Sequence, residues 1–139
     1  MSRLVLDASV ALAWFIDTPI PPYAALVRRE LLRGATALVP WLWHLEIANG
    51  FAVAERRGIV TRSDVDAGVT HIEQLLPKPI ETDTAFIGIR QALRTATASR
   101  LSAYDAAYLR MAREHSLPLA TLDKRLREAA VRAGLELFE

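Results

Sequence analysis

Apolar residues along this chain fall into two rhythms, short unbroken runs and longer stretches at helical spacing. The runs at residues 3–6, 37–40 and 117–121 predict strands covered on both faces, since a half-exposed strand would alternate apolar with polar. Residues 8–15 predict a short apolar helix, stopped by the loop Asp17-Thr18-Pro19-Ile20-Pro21-Pro22. Residues 23–33 predict an amphipathic helix closed by Gly34, and residues 41–57 a longer one ending at Gly58. Thr61-Arg62-Ser63-Asp64 is a capping box that opens a helix running to about residue 75. After Pro77-Lys78-Pro79 the pair Ile80-Glu81 predicts a short strand. Helices follow at 84–97, with Asp83 as its cap, at 102–115, and at 124–133 closed by Gly134; residues 135–138 predict a last strand. Short buried strands alternating with helices argue for a parallel sheet with helices on both faces.

Composition narrows this picture. A chain of 139 residues, 52% hydrophobic and 24% charged, supports one packed domain over residues 1–139, with no linker or repeat dividing it. There is no cysteine, which rules out disulfides and thiolate zinc sites and fits a reducing, cytoplasmic location. His44, His71 and His115 are not at metal-ligand spacing. No secretory h-region and no membrane-length apolar stretch are present. The net charge of +1 neither demands nor excludes nucleic acid. All of the 17 basic residues but Lys78 and Lys124 are arginine. Arginine suits bidentate phosphate binding, although codon bias is the plainer explanation of the count. Arg28, Arg29, Arg33, Arg56, Arg57, Arg94 and Arg100 are candidates to grip a phosphate chain.

The informative residues are four carboxylates in apolar surroundings: Asp7 after Leu4-Val5-Leu6, Glu46 within Trp43-His44-Leu45-Glu46-Ile47-Ala48, Asp105 within Tyr104-Asp105-Ala106-Ala107-Tyr108, and Asp123 after Leu119-Ala120-Thr121-Leu122. Such carboxylates are costly unless paired, hydrogen-bonded or bound to a cation. Asp7 and Asp123 each have a plain alternative role as a helix N-cap, and Asp105 fits the third helical position of a box opened by Ser102. Glu46 has no such alternative, because it lies in mid-helix with no arginine within a turn. Asp7 and Asp123 both follow strands, so both project from the carboxyl edge of the sheet, where open α/β folds place their sites. Gathered there, the four would form an acidic pocket suited to Mg²⁺ or Mn²⁺. Ser9, Asn49 and Thr121 stand close in sequence to Asp7, Glu46 and Asp123 and are candidates to orient them.

In this order, Leu4-Val5-Leu6-Asp7-Ala8-Ser9-Val10, Pro40 with Glu46-Ile47-Ala48-Asn49, Leu101-Ser102-Ala103-Tyr104-Asp105-Ala106-Ala107-Tyr108-Leu109 and Leu119-Ala120-Thr121-Leu122-Asp123-Lys124-Arg125-Leu126 resemble a PIN-domain ribonuclease, in particular a VapC-type toxin. The resemblance runs nearly end to end and lacks no acidic position. It implies a three-layer α/β/α sandwich with a mostly parallel sheet, and Mg²⁺- or Mn²⁺-dependent cleavage of a structured RNA such as tRNA or rRNA. Asp7 and Asp105 would be direct metal ligands, with Glu46 and Asp123 completing the catalytic pocket. It also implies a VapB-type antitoxin that blocks the site, a homodimer, and DNA contact only through the antitoxin. Two other phosphoryl chemistries fit less well. A haloacid-dehalogenase-type phosphatase wants an Asp where Ser9 stands, and a phosphoacceptor signalling domain wants paired acids beside Asp7. A catalytically dead interaction domain is at odds with the intact acidic set.

Overall fold

The computed structural model describes residues 2–139; Met1 lies outside the described residues. In chain order the elements are β1 (Arg3–Leu6), α1 (Ala8–Ile16), α2 (Pro22–Leu32), β2 (Thr36–Pro40), α3 (Leu42–Arg56), α4 (Arg62–Gln74), β3 (Ile80–Asp83), α5 (Ile89–Ser99), α6 (Ala103–His115), β4 (Leu119–Ala120) and α7 (Lys124–Arg132). The strands form one parallel sheet in the order β3-β2-β1-β4. Leu4, Val5 and Leu6 on the inner strand β1 are wholly buried, so their unbroken run does reflect cover on both faces. Helix α1 packs on both α2 and α3, with α4 docked on α3, while α6 lies against β1 and β2 and carries α5 and α7. Gly68 lets α4 close in, since a Cβ there would come within 2.8 Å of Phe51 Cζ.

Local signals were honoured where they satisfied backbone groups directly. Thr61 Oγ1 accepts from the Asp64 amide and Asp64 Oδ2 from the Thr61 amide, so the capping box is complete. Gly58 and Gly134 follow α3 and α7 with φ of +73°, the left-handed conformation that ends a helix.

Two expectations need correction. The helix expected from residue 84 starts at Ile89. Asp83 is the last residue of β3, and its Oδ1 accepts from the Ala85 amide two residues on. It therefore braces a turn instead of capping a helix, and residues 84–88 stay irregular. The last expected strand is reduced to a single parallel bridge between Leu119 and Leu137. The edge strand β4 is itself only two residues long: the next amide on the β1 side, that of Leu122, donates to Ser9 Oγ (3.0 Å), and the Thr121 carbonyl accepts from the Arg127 guanidinium (2.8 Å).

Candidate active site

The chain leaves β1 for β2 on one side, and β4 joins β1 on the other. Strand order therefore reverses between β1 and β4, and a crevice opens at their carboxyl ends. Asp7 follows β1 directly, and its amide donates to the Ala120 carbonyl of β4 (2.9 Å). Asp123 comes three residues after the end of β4, Glu46 lies near the start of α3 just past β2, and Asp105 sits in the first turn of α6.

Asp7 has the extended backbone of an N-cap, but its carboxylate makes no cap hydrogen bond. Both available hydroxyls instead donate to the same oxygen: Ser9 Oγ and Thr121 Oγ1 each lie 2.6 Å from Oδ2. Those hydroxyls are themselves fixed. Ser9 Oγ accepts from the Leu122 amide, and Thr121 Oγ1 accepts from the Asp123 amide, both at 3.0 Å. Asp7 is only 5% exposed. Burial pushes its pKa up, the two hydroxyls pull it down, and the charges of Asp105 and Asp123 push it up again.

Glu46 is half-buried and accepts a short hydrogen bond at Oε1 from the hydroxyl of Tyr108. Its pKa is raised to about 7, mainly by burial, against the pull of the Tyr108 hydrogen bond and with added repulsion from Asp7 and Asp105. Asp105 is likewise raised by burial and by Asp123, and held back by the Ser102 hydroxyl and the Arg125 charge. Asp123 does serve as a cap, accepting from the Leu126 amide through Oδ1 (2.9 Å). Its charge nonetheless reaches Asp7 and Asp105.

All four carboxylates thus share one electrostatic neighbourhood. Ser9 and Thr121 join it as direct partners of Asp7, whereas Asn49 is exposed and the hydrogen bond to Glu46 comes from Tyr108. Sequence reasoning passed over Tyr108, Arg125 and Arg127. Tyr108 had a readable signal: it lies one turn after Asp105 in an apolar helix, and a buried tyrosine hydroxyl requires a partner. Arg127, which anchors the Thr121 carbonyl while lying 5.0 Å over the Tyr23 ring, had none.

As donors for a cation the residues are chemically apt, being carboxylate oxygens that repel one another and that hard divalent ions favour. Among the described residues, no three Asp, Glu or His side chains stand as placed where they could hold one ion together. The fit is therefore one of donor chemistry.

Residues 4–132 match the family model described as PIN domain. No curated protein matches the sequence. Among solved structures, PAE2754 from Pyrobaculum aerophilum is similar with a TM-score of 0.69 at 20% identity, over 92% of this chain and 84% of that one. FitAcB from Neisseria gonorrhoeae is similar with a TM-score of 0.61 at 19% identity, over 98% and 96% of the two chains. A domain of a functionally unknown protein from Methanocaldococcus jannaschii gives 0.57 at 17% identity, over 99% and 90%. At these identities the structural likenesses are of fold.

Proposed function

The chain belongs to the PIN-domain family, whose members are generally nucleases, and on that premise we propose that it is a divalent-metal-dependent endoribonuclease, the toxin of a VapC-type toxin–antitoxin pair. The observation that carries this reading is Asp7: a buried carboxylate that caps nothing, with two hydroxyls gripping one oxygen. Stability alone gives no reason to bury a charge there.

Asp7 and Asp105 would bind Mg²⁺ or Mn²⁺ directly, and Glu46 and Asp123 directly or through water. The bound cation would lower the pKa of a water for attack on phosphorus and offset charge on the phosphate. The chain's own contribution is orientation. Ser9 and Thr121 fix Asp7, Tyr108 fixes Glu46, and Arg127 holds the Thr121 backbone. Arg125, whose charge already reaches Asp105, would be available to meet a substrate phosphate. Exposed Asn49 would be available to the RNA. A structured RNA, such as tRNA or an rRNA loop, remains the expected substrate class, with selection by shape and unpaired bases.

The test is incubation of purified protein, free of any antitoxin, with total bacterial RNA in Mg²⁺, Mn²⁺ or EDTA. Discrete metal-dependent fragments support the reading; intact RNA in every metal, with no Mn²⁺ binding by calorimetry, overturns it. Thr121→Val should lower cleavage about 10- to 100-fold, the usual cost of removing a partner of a metal ligand, with the fold retained by circular dichroism. Full activity would show that the Thr121–Asp7 hydrogen bond is dispensable.

Protein partners are also part of the proposal: a VapB-type antitoxin, which alone would contact DNA, and a second copy of the chain. Trp41, Phe86, Ile89, Leu93 and Tyr104 leave more than 60% of each residue exposed, and a second copy covering them would remove that apolar surface from water. Light scattering should give a dimer, and Phe86→Glu combined with Ile89→Glu should give a folded monomer. A monomeric parent protein would remove the dimer from the proposal. Among the described residues no helix is long and apolar enough to cross a membrane.

A further inference from the structure

Three of the four pocket carboxylates share an arrangement. Asp7 has Oδ2 tied by Ser9 and Thr121, Glu46 has Oε1 tied by Tyr108, and Asp123 has Oδ1 tied by the Leu126 amide. A carboxylate with one oxygen tied offers the other in a fixed direction. For the two aspartates the tie comes from within a few residues or, at Thr121, from the residue just past the adjoining strand, on short side chains. Glu46 differs: it has a longer, more mobile side chain, and its tie crosses from α6 to α3.

The donor is well suited to hold it. Tyr108 is fully buried, one of the largest wholly enclosed side chains of the core, on a helix packed against β1 and β2. Its ring therefore cannot follow Glu46; the carboxylate must come to the phenol. Burial and the nearby carboxylate charges also raise the phenol pKa well above its usual value, so the hydroxyl stays protonated and donates.

We propose that Tyr108 is a positioning residue, whose phenol fixes Glu46 in the orientation from which its second oxygen meets the divalent cation. The inference rests on the metal-dependent reading of the site. The bland alternative is that the hydrogen bond only satisfies a buried hydroxyl, and the two differ in what they predict for cation binding.

The experiment is a double-mutant cycle on Mn²⁺ affinity, measured by calorimetry on the whole protein for the parent, Tyr108→Phe, Glu46→Ala and the double variant. Phenylalanine keeps the ring in the core and deletes only the hydroxyl. Melting curves in EDTA check that each variant is folded, and the phenolic proton resonance of the metal-free parent reports the hydrogen bond itself. Tyr108→Phe should weaken Mn²⁺ binding about 10-fold or more, and should have no further effect once Glu46 is alanine. A Tyr108→Phe variant that binds Mn²⁺ like the parent overturns the proposal, as does an equal loss in the Glu46→Ala background. A parent that binds no Mn²⁺ overturns the metal reading and the proposal together. That failure is distinct, because it shows in the parent and not in the variants.

Discussion

Asp7→Asn is expected to lower RNA cleavage by about 10³-fold, the upper range for loss of one preorganised electrostatic group, without lowering the melting temperature of the metal-free protein. The two halves follow from one geometry. Ser9 and Thr121 both donate to Oδ2 of Asp7, so an asparagine must turn its carbonyl oxygen towards them. Its NH₂ then occupies the place of Oδ1. An NH₂ group cannot ligate a cation, and it puts donors where the pocket needs an acceptor. For stability the same exchange is favourable: a buried charge disappears, and repulsion from Asp105 and Asp123 becomes attraction between an amide donor and two carboxylates. Opposite signs for activity and stability mark a residue kept for function. Cleavage retained within tenfold of the parent would rule Asp7 out as a ligand. A clear fall in melting temperature in EDTA would instead make it a structural residue.

The parts of this architecture legible in the sequence were those governed by local chemistry. The buried strand β1 showed as an unbroken apolar run, the start of α4 as a capping box, and the ends of α3 and α7 as glycines free to take positive φ. The two strand-end aspartates, Asp7 and Asp123, likewise pointed to one sheet edge from the sequence alone. What failed carried no distinguishing local signature. An Asp83 that caps a helix and one that braces a turn through the Ala85 amide look alike in sequence, yet here α5 starts only at Ile89. Nothing near Thr121 reveals that the next amide, Leu122, turns to Ser9, 113 positions away, where β4 ends. The cap role expected for both strand-end aspartates held for Asp123 and failed for Asp7, because only the fold brings the Thr121 hydroxyl beside Ser9 as a stronger alternative. The same blindness hid Tyr108, which reaches Glu46 only once α3 and α6 sit side by side.

The metal-free protein should lose stability as pH rises from about 4.5 towards neutrality, against the usual gain of a protein whose carboxylates are salt-bridged. The sign follows from Glu46. Its ordinary value of 4.5 governs the unfolded chain, whereas in the fold it is raised to about 7. Below the lower value both states hold the proton, and Glu46 makes no difference. Between the two values the unfolded chain releases its proton while the fold retains it, so unfolding gains free energy with every step in pH. Above about 7 the fold must carry the charge too, and the loss is complete. Asp7 and Asp105, raised from 3.8 by burial and by their neighbours, act in the same direction. In EDTA the melting temperature should therefore fall between about pH 5 and about pH 8. Glu46→Gln should raise it at the upper end and leave it unchanged at the lower, since the glutamine carbonyl can still accept from Tyr108. Mg²⁺ or Mn²⁺ should restore stability at the upper end, where the ionised carboxylates bind it, and do little at the lower. A melting temperature that rises across this window in EDTA, or a Glu46→Gln variant that tracks the parent at every pH, would show that the four carboxylates do not strain the empty pocket. If the fall is seen and the cation reverses it, the strain that burial and crowding place on these groups is the same free energy that draws the metal in.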